Sequence, residues 1–183
     1  MQNNRDRRNW DREIADISFR KASQLLAFSA LNDEDPLTRK HAIYMLGYAR
    51  NPDCIETFVQ ALRDPEKAVR SQATRALAVI GEKVLDRLVA LAPDPDWKVR
   101  YRAAEALGML KDKRAIAPLL GLLNDEKDHV QYMAIKSLGM IEAEGIKESL
   151  QPFLTHTNPY ARTMAASVIE KLNNESSRAA FTR

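Results

Sequence analysis

Apolar and polar positions along the chain recur with a period near 31 residues. Aligned on one polar column, Arg39, Arg70, Arg100, Gln131 and Arg162, the spacings are 31, 30, 31 and 31. Three residues further on stand Ala42, Ala73, Ala103, Ala134 and Ala165; seven further on stand Leu46, Leu77, Leu107, Leu138 and Ile169; one before stand Thr38, Val69, Val99, Val130 and Ala161. Offsets −1, 3, 7 and 10 share one face of a 3.6-residue helix, so each segment predicts an amphipathic helix. An invariant small residue on that face means that another backbone passes close to it, as where helix packs tightly on helix. A second, preceding helix is marked by Phe58, Leu88, Leu119 and Leu150, with Leu62, Ala92, Leu123 and Leu154 four residues later. The same register run backwards reaches Ala27 and Leu31, inside a longer leading segment. The pattern predicts five helix pairs, roughly 12–49, 52–80, 81–110, 111–142 and 143–173, and no sustained period-2 alternation that would signal a strand.

The polar punctuation fits these pairs. Asp35-Pro36 and Asn158-Pro159 read as an N-cap followed by proline at the first helical position, and Asp96 holds the cap column of the third pair. Gly47, Gly108 and Gly139 share one column near the end of the second helix, each either a helix stop or a point of close approach by the next pair. Six residues before the arginine column stand Asp33, Asp64, Asp94, Asp125 and His156. Aspartate in the turn and arginine one turn into the helix are expected to pair within and between neighbouring units, because charges at a partly buried turn need partners. This ladder is expected to set stacking geometry and leave its arginines no freedom to hold a ligand. It breaks at Gln131 and His156, so the C-terminal pairs are expected to be joined less firmly.

These columns, above all AIAPLLGLLNDEKDHVQYMAIKSLGMI at 115–141 and its echo DPDWKVRYRAAEALGML at 94–110, resemble HEAT repeats of the short variety first noticed in phycobilisome lyases. The resemblance covers about residues 25–172. It implies an all-α fold, a right-handed α-α superhelix (solenoid) with the arginine-bearing helices on its concave side. The domain is expected over 10–173, with 1–9 and 174–183 as tails outside it. The long first helix, carrying Trp10, Arg12, Glu13 and Arg20, suits an N-terminal cap, and Glu170, in place of the usual glycine, suits an exposed end. The same repeats serve scaffolds, chromophore-attachment proteins that typically work as two-component complexes, and a few enzymes.

On the arginine-bearing helices the face opposite the core falls at offsets 1, 5 and 9, with offset 2 on its flank. It gathers Lys40, Tyr44, Arg75, Tyr101, Arg102, Glu105, Tyr132 and Lys136, with Tyr48, Met109 and Met140 nearby. Tyrosine, arginine and methionine are enriched at interfaces, and four of the five tyrosines stand here. The plainer alternative is that Tyr101 and Tyr132 cover helix seams with their rings and keep their hydroxyls wet.

Composition narrows the chemistry. The net charge of +3 is mild and does not demand an acidic partner such as nucleic acid. The single cysteine, Cys54, makes no internal disulfide and fits a reducing compartment. The polar start MQNNRDRRNWDRE does not read as a signal peptide, its arginines are expected to form a solvated arm, and no apolar run is long enough to cross a membrane. The three histidines, His41, His129 and His156, show no metal-ligand spacing, and no His-Glu pair, phosphate loop or nucleophile signature is present. No catalytic residue, cofactor or metal is therefore expected.

From the residues, the expected function is a non-enzymatic interaction module: a monomeric cytoplasmic scaffold whose concave strip binds a partly acidic peptide or protein surface. Nucleic acid and membrane are not expected partners. A bilin lyase-like chromophore-handling factor, which rests on the repeat resemblance, is the alternative. A HEAT-like DNA-repair glycosylase, built on Trp97, Tyr101, Arg102 and Glu105, ranks below it.

Overall fold

In the computed structural model, residues 3–143 and 145–181 are described at the backbone, and side chains over 16–143 and 145–174. Every regular element among them is helical. The chain divides into two compact units, Met1–Ala76 and Leu77–Arg183.

In the first unit, α1 (Asn3–Asn32) pairs with α2 (Pro36–Tyr48), and α3 (Ile55–Ala61) is followed by α4 (Lys67–Ile80), whose last turn runs past the division. Helix α1 packs on α2 and on α3. The predicted cap starts α2: the Asp35 carboxylate accepts from the Leu37 and Thr38 N–H groups, both at 3.1 Å, and from the Thr38 hydroxyl at 2.8 Å. These bonds fill donors that a helix start leaves open, and they hold the Asp35 carboxyl below its usual range, the Thr38 hydroxyl contributing most. Ile43, Leu46, Phe58, Leu62 and Ala73 form the core.

In the second unit, α5 (Leu85–Val89) precedes α6 (Trp97–Leu110), α7 (Ile116–Gly121) precedes α8 (Asp128–Ile141), and α9 (Lys147–Leu150) precedes α10 (Pro159–Phe181). The leading helix of each pair is short and is flanked by 3₁₀ turns, such as Gly81–Val84 and Leu122–Asn124. Helix α6 packs on α8, and α8 on α10. Asp96 caps α6 through the Lys98 N–H at 2.8 Å, and Asn158 caps α10 through the Tyr160 N–H at 2.9 Å. The alanine column is buried in both units, as are Leu46, Leu77, Leu107 and Leu138 of the leucine column.

The structure resolves the glycine column. Gly47, Gly108 and Gly139 lie inside helices and mark close approach. A Cβ at Gly108 would stand 2.8 Å from the Ser137 Cα, and one at Gly47 would stand 2.9 Å from the Ala76 Cβ. The helix stops come three residues later, at Arg50, Gly81, Lys111 and Glu142, all with positive φ and only one of them glycine. In the fifth pair that column is Asn173, and α10 continues to Phe181.

The ladder has two halves. Arg39 Nη1 donates to the Asp33 carbonyl at 2.7 Å within its own pair, while its Nε and Nη2 hold the Asp64 carboxylate of the next pair at 2.7 and 3.0 Å. Arg100 repeats this, with the Asp94 carbonyl at 2.8 Å and the Asp125 carboxylate at 2.6 and 2.8 Å. The within-pair contact is to backbone, and only the neighbour supplies a carboxylate. Both guanidiniums are nearly buried, and each is held by a carbonyl of its own turn and a carboxylate of the next pair.

Trp10, Arg12, Glu13 and the arginines expected to form a solvated arm fall outside the described side chains, as does most of 1–9 and 174–183. Arg20 is described, and it is exposed on α1.

Candidate functional site

On α6, Trp97, Tyr101, Glu105 and Met109 follow one another at i, i+4 steps; on α8, Asp128, Tyr132, Lys136 and Met140 do the same. Such steps make a ridge along one helix face. Because α6 packs against α8, the second unit presents two adjacent ridges, aromatic near the helix starts, charged in the middle and sulfur-bearing near the ends. Trp97 meets His129 with ring centroids 5.5 Å apart at 37°.

One turn on, the side chains form a connected cluster. Arg102 lies over the Tyr101 ring at 5.2 Å from its centroid, and its Nη1 donates to Glu105 Oε2 at 2.6 Å. Burial pushes the Tyr101 phenol up, Glu105 and Tyr132 push it further, and Arg102 opposes them. Tyr101 is therefore a protonated donor throughout the neutral range, and Tyr132 belongs to its surroundings. Lys136 stands exposed, with no carboxylate partner among the described residues.

The structure thus brings together Tyr101, Arg102, Glu105 and Tyr132, with Lys136 one turn along α8. Arg102 is 6% exposed and ion-paired. Offset 2 leans towards a neighbouring helix, as fully buried Met133 shows on α8. The guanidinium therefore stiffens the tyrosine, and its charge is spent on Glu105. Lys40, Tyr44 and Arg75 lie in the first unit, Lys40 half-buried and the other two exposed. The Trp97–His129 pair was not expected as a pair: offset −3 places Trp97 at the helix start, but only packing shows that the histidine one repeat later meets it.

Among the described residues there is no group of three or more His, Cys, Asp or Glu side chains able to hold a metal ion, and no helix is long and apolar enough to cross a membrane. Cys54 is buried, and desolvation raises its thiol pKa, so it is a poor nucleophile.

Comparison with known proteins adds what geometry alone does not. The HEAT repeats family matches residues 25–94 and 85–170. The bilin biosynthesis protein PecE of Nostoc sp. (strain PCC 7120) is 29% identical over 159 residues, 82% of this chain and 63% of that protein. The phycocyanobilin lyase subunit alpha of the same organism is 30% identical over 172 residues, 82% of this chain and 62% of that one. The solved complex of CpcE and CpcF of phycocyanin lyase from Nostoc sp. PCC7120 aligns with a TM-score of 0.62 at 28% identity, over 85% of this chain and 66% of that chain. The chain spans about three fifths of the length of these curated relatives.

Two expectations are corrected by these relatives: that the chain is a non-enzymatic peptide-binding scaffold, and that it is not an enzyme. Proteins with the same repeats are named as lyase subunits and bilin biosynthesis proteins. The missing nucleophile and metal signatures misled because a solenoid can contribute to a reaction by holding and orienting a substrate, and that leaves no local motif. The family match runs over most of the chain and its columns are those that build the seams: the chain belongs to the HEAT-repeat family, and its repeats are of the phycobilisome-lyase-like kind.

Proposed function

We propose that the chain is a bilin lyase-like, chromophore-handling subunit that holds a linear tetrapyrrole on the α6/α8 face and acts with protein partners. The observation that carries this reading is the similarity, over more than four fifths of the chain, to proteins named as bilin biosynthesis and phycocyanobilin lyase components. A linear tetrapyrrole is flat, conjugated and largely apolar, with propionate carboxylates at its edge. The Tyr101 and Tyr132 rings offer surfaces for the conjugated system, Met109 and Met140 offer adaptable apolar contact, and the unpaired Lys136 ammonium suits a propionate. Arg102 and Glu105 hold Tyr101 in place. Their role is positioning: no side chain on this face is an activated nucleophile. Lys40, Tyr44 and Arg75 form a second candidate surface in the first unit, and the partly acidic ligand they favour is met by the same propionates. A monomeric isolated chain and a cytoplasmic setting, which fits the lone reduced Cys54, belong to the same reading.

The test is titration of the purified chain with phycocyanobilin, followed by visible absorbance and induced circular dichroism. The expected result is a saturable spectral change, weakened roughly tenfold in affinity by Tyr132→Ala or Lys136→Ala, with each variant's far-ultraviolet spectrum unchanged. A pigment spectrum unaltered by the wild-type chain would sink the reading. Wild-type binding that survives both substitutions would move the site off this face.

A further inference from the structure

The leading helix of the first pair departs from its successors at three columns. Twelve residues before the arginine column, Phe58, Leu88, Leu119 and Leu150 are fully buried; in the first pair this position is Ala27. Sixteen residues before it, Cys54, Val84, Ala115 and Ile146 are buried; the first pair has Ser23. Fifteen residues before it stand Ile55, Leu85 and Ile116; the first pair has Gln24. A small residue at a position packed by a large one leaves a hollow, and hydroxyl and amide groups on its wall make it a polar one.

The structure contains that hollow. It has a volume of about 270 Å³ and lies inside the first unit, where α1 packs on α3. Helix α1 lines it with the three exchanged residues and with Arg20, a turn earlier on the same stripe. The facing segment contributes Cys54 and, around it, Asn51, Asp53 and Thr57. Ala27 and the buried Cys54 supply apolar surface. The polar groups are unspent. Asn51 Oδ1 accepts the Asp53 N–H at 3.0 Å. The Arg20 guanidinium, the Gln24 amide, the Ser23 and Thr57 hydroxyls and the Asp53 carboxylate have no side-chain hydrogen bond or ion pair among the described residues. Hydroxyls elsewhere, such as those of Thr38, Thr74 and Ser137, are bonded within the fold. Burial and, after it, the Asp53 charge push the Cys54 thiol up, so the carboxylate stands close to the apolar part of the hollow.

We infer that this hollow is a binding site for a small zwitterion of the α-amino-acid class, its carboxylate held by Arg20, its ammonium by Asp53 and its side chain laid against Ala27 and Cys54. The planar fork of a guanidinium matches a carboxylate with two parallel hydrogen bonds, and an ammonium, with three donors and no acceptor, needs a carboxylate or hydroxyls such as those of Ser23 and Thr57. Opposite charges on two separate elements, not paired with each other, select a ligand that carries both. A simple anion would be repelled by Asp53 and a simple cation by Arg20. At about 30 Å³ per water the hollow has room for about nine waters, enough for an amino acid and too little for a tetrapyrrole. The inference goes beyond the bilin reading and does not rest on it: the residues belong to the first unit, and α6 and α8 to the second.

The experiment is isothermal titration of the purified full chain with each of the common free amino acids in turn, followed, for any that binds, by its N-acetyl and carboxamide derivatives. The expected result is saturable binding of at least one small amino acid, weakened at least about tenfold when either of its charges is removed. Arg20→Gln and Asp53→Asn, both at exposed positions, should each weaken it by as much; the carboxamide should be indifferent to Arg20→Gln, and the N-acetyl derivative to Asp53→Asn. Ala27→Leu gives the first pair the residue type of the others. It should abolish binding while the thermal unfolding midpoint stays level or rises. No binding by any of the amino acids overturns the inference, as does binding that a derivative lacking one charge matches, or binding that survives Arg20→Gln, Asp53→Asn or Ala27→Leu undiminished. Phycocyanobilin titration of the Arg20→Gln variant separates the two readings, because pigment binding on α6/α8 is expected to be unchanged.

Discussion

Two rungs of one ladder, 31 residues apart in the second unit, are built from different chemistry. At the first, the nearly buried Arg100 binds the Asp94 carbonyl with one nitrogen and the Asp125 carboxylate with two others. At the second, Gln131 and His156 take the places of arginine and aspartate. Gln131 Nε2 keeps the backbone half, donating to the Asp125 carbonyl at 2.8 Å, but its Oε1 is buried without a partner. His156 Nδ1 keeps the turn, accepting the Asn158 N–H at 3.1 Å as the Asp125 carboxylate accepts the Lys127 N–H. The ring thus carries its proton on Nε2. What is lost is the charged link between pairs. It is replaced by Asn158 Nδ2 donating to Asp128 at 3.0 Å and Lys171 Nζ donating to Glu142 at 2.8 Å. Each pair's own turn is thus secured by backbone contacts that survive the exchange, while the join between pairs can be tuned separately.

The largest break in this comparison is Arg100→Ala. It strands the Asp125 carboxylate in a seam where its side chain is 5% exposed. Removing one member of a buried pair costs about 3–5 kcal/mol, because the survivor keeps its desolvation penalty. Gln131→Ala removes one neutral hydrogen bond and should cost about 1 kcal/mol. Urea unfolding of both variants checks the ratio; equal midpoints would mean that the charged rung contributes no more than the neutral one.

The rungs also show what a sequence can disclose. The period, the helix pairs and the caps at Asp35, Asp96 and Asn158 were legible because each rests on local spacing or local hydrogen bonding. The helix stops were not: Arg50, Lys111 and Glu142 take positive φ at a column where only Gly81 announces it, since the next turn imposes that conformation on residues that do not favour it. In the candidate site, the Tyr101 and Tyr132 columns were visible in the spacing. The engagement of Arg102 with Glu105 was not, because offset 2 lies between the exposed and buried arcs and only the neighbouring helix decides.

A smaller effect should follow from rebuilding the second rung in the image of the first. Gln131→Arg alone places a guanidinium against His156 with no carboxylate to receive it, and it should destabilise by about 1–3 kcal/mol. Adding His156→Asp supplies the carboxylate in the same turn geometry and should recover that loss. The coupling in a double-mutant cycle is expected at about 0.5–3 kcal/mol. Additive single effects would show that the two positions no longer face one another as Arg100 and Asp125 do.

The smallest expected difference is in acid. Burial alone would push the Asp125 carboxyl up; the hydrogen bonds from Arg100 and the Lys127 N–H, together with the nearby positive charges, outweigh it and hold the carboxyl below its ordinary value of 3.8. A carboxyl with a lower folded than unfolded pKa stabilises the fold fully above the unfolded value and loses that contribution as pH falls through the folded one. The first rung should therefore weaken below about pH 4, with a slope of at most about 1.4 kcal/mol per pH unit for one proton. The second rung has no carboxylate at either of the two positions, 131 and 156. Unfolding free energies measured between neutral pH and pH 3 should fall less steeply for Asp125→Asn than for the wild type, even though the variant starts from lower stability. Parallel curves would show that the acid response lies with other carboxylates and that the charge on this rung is not what joins the pairs.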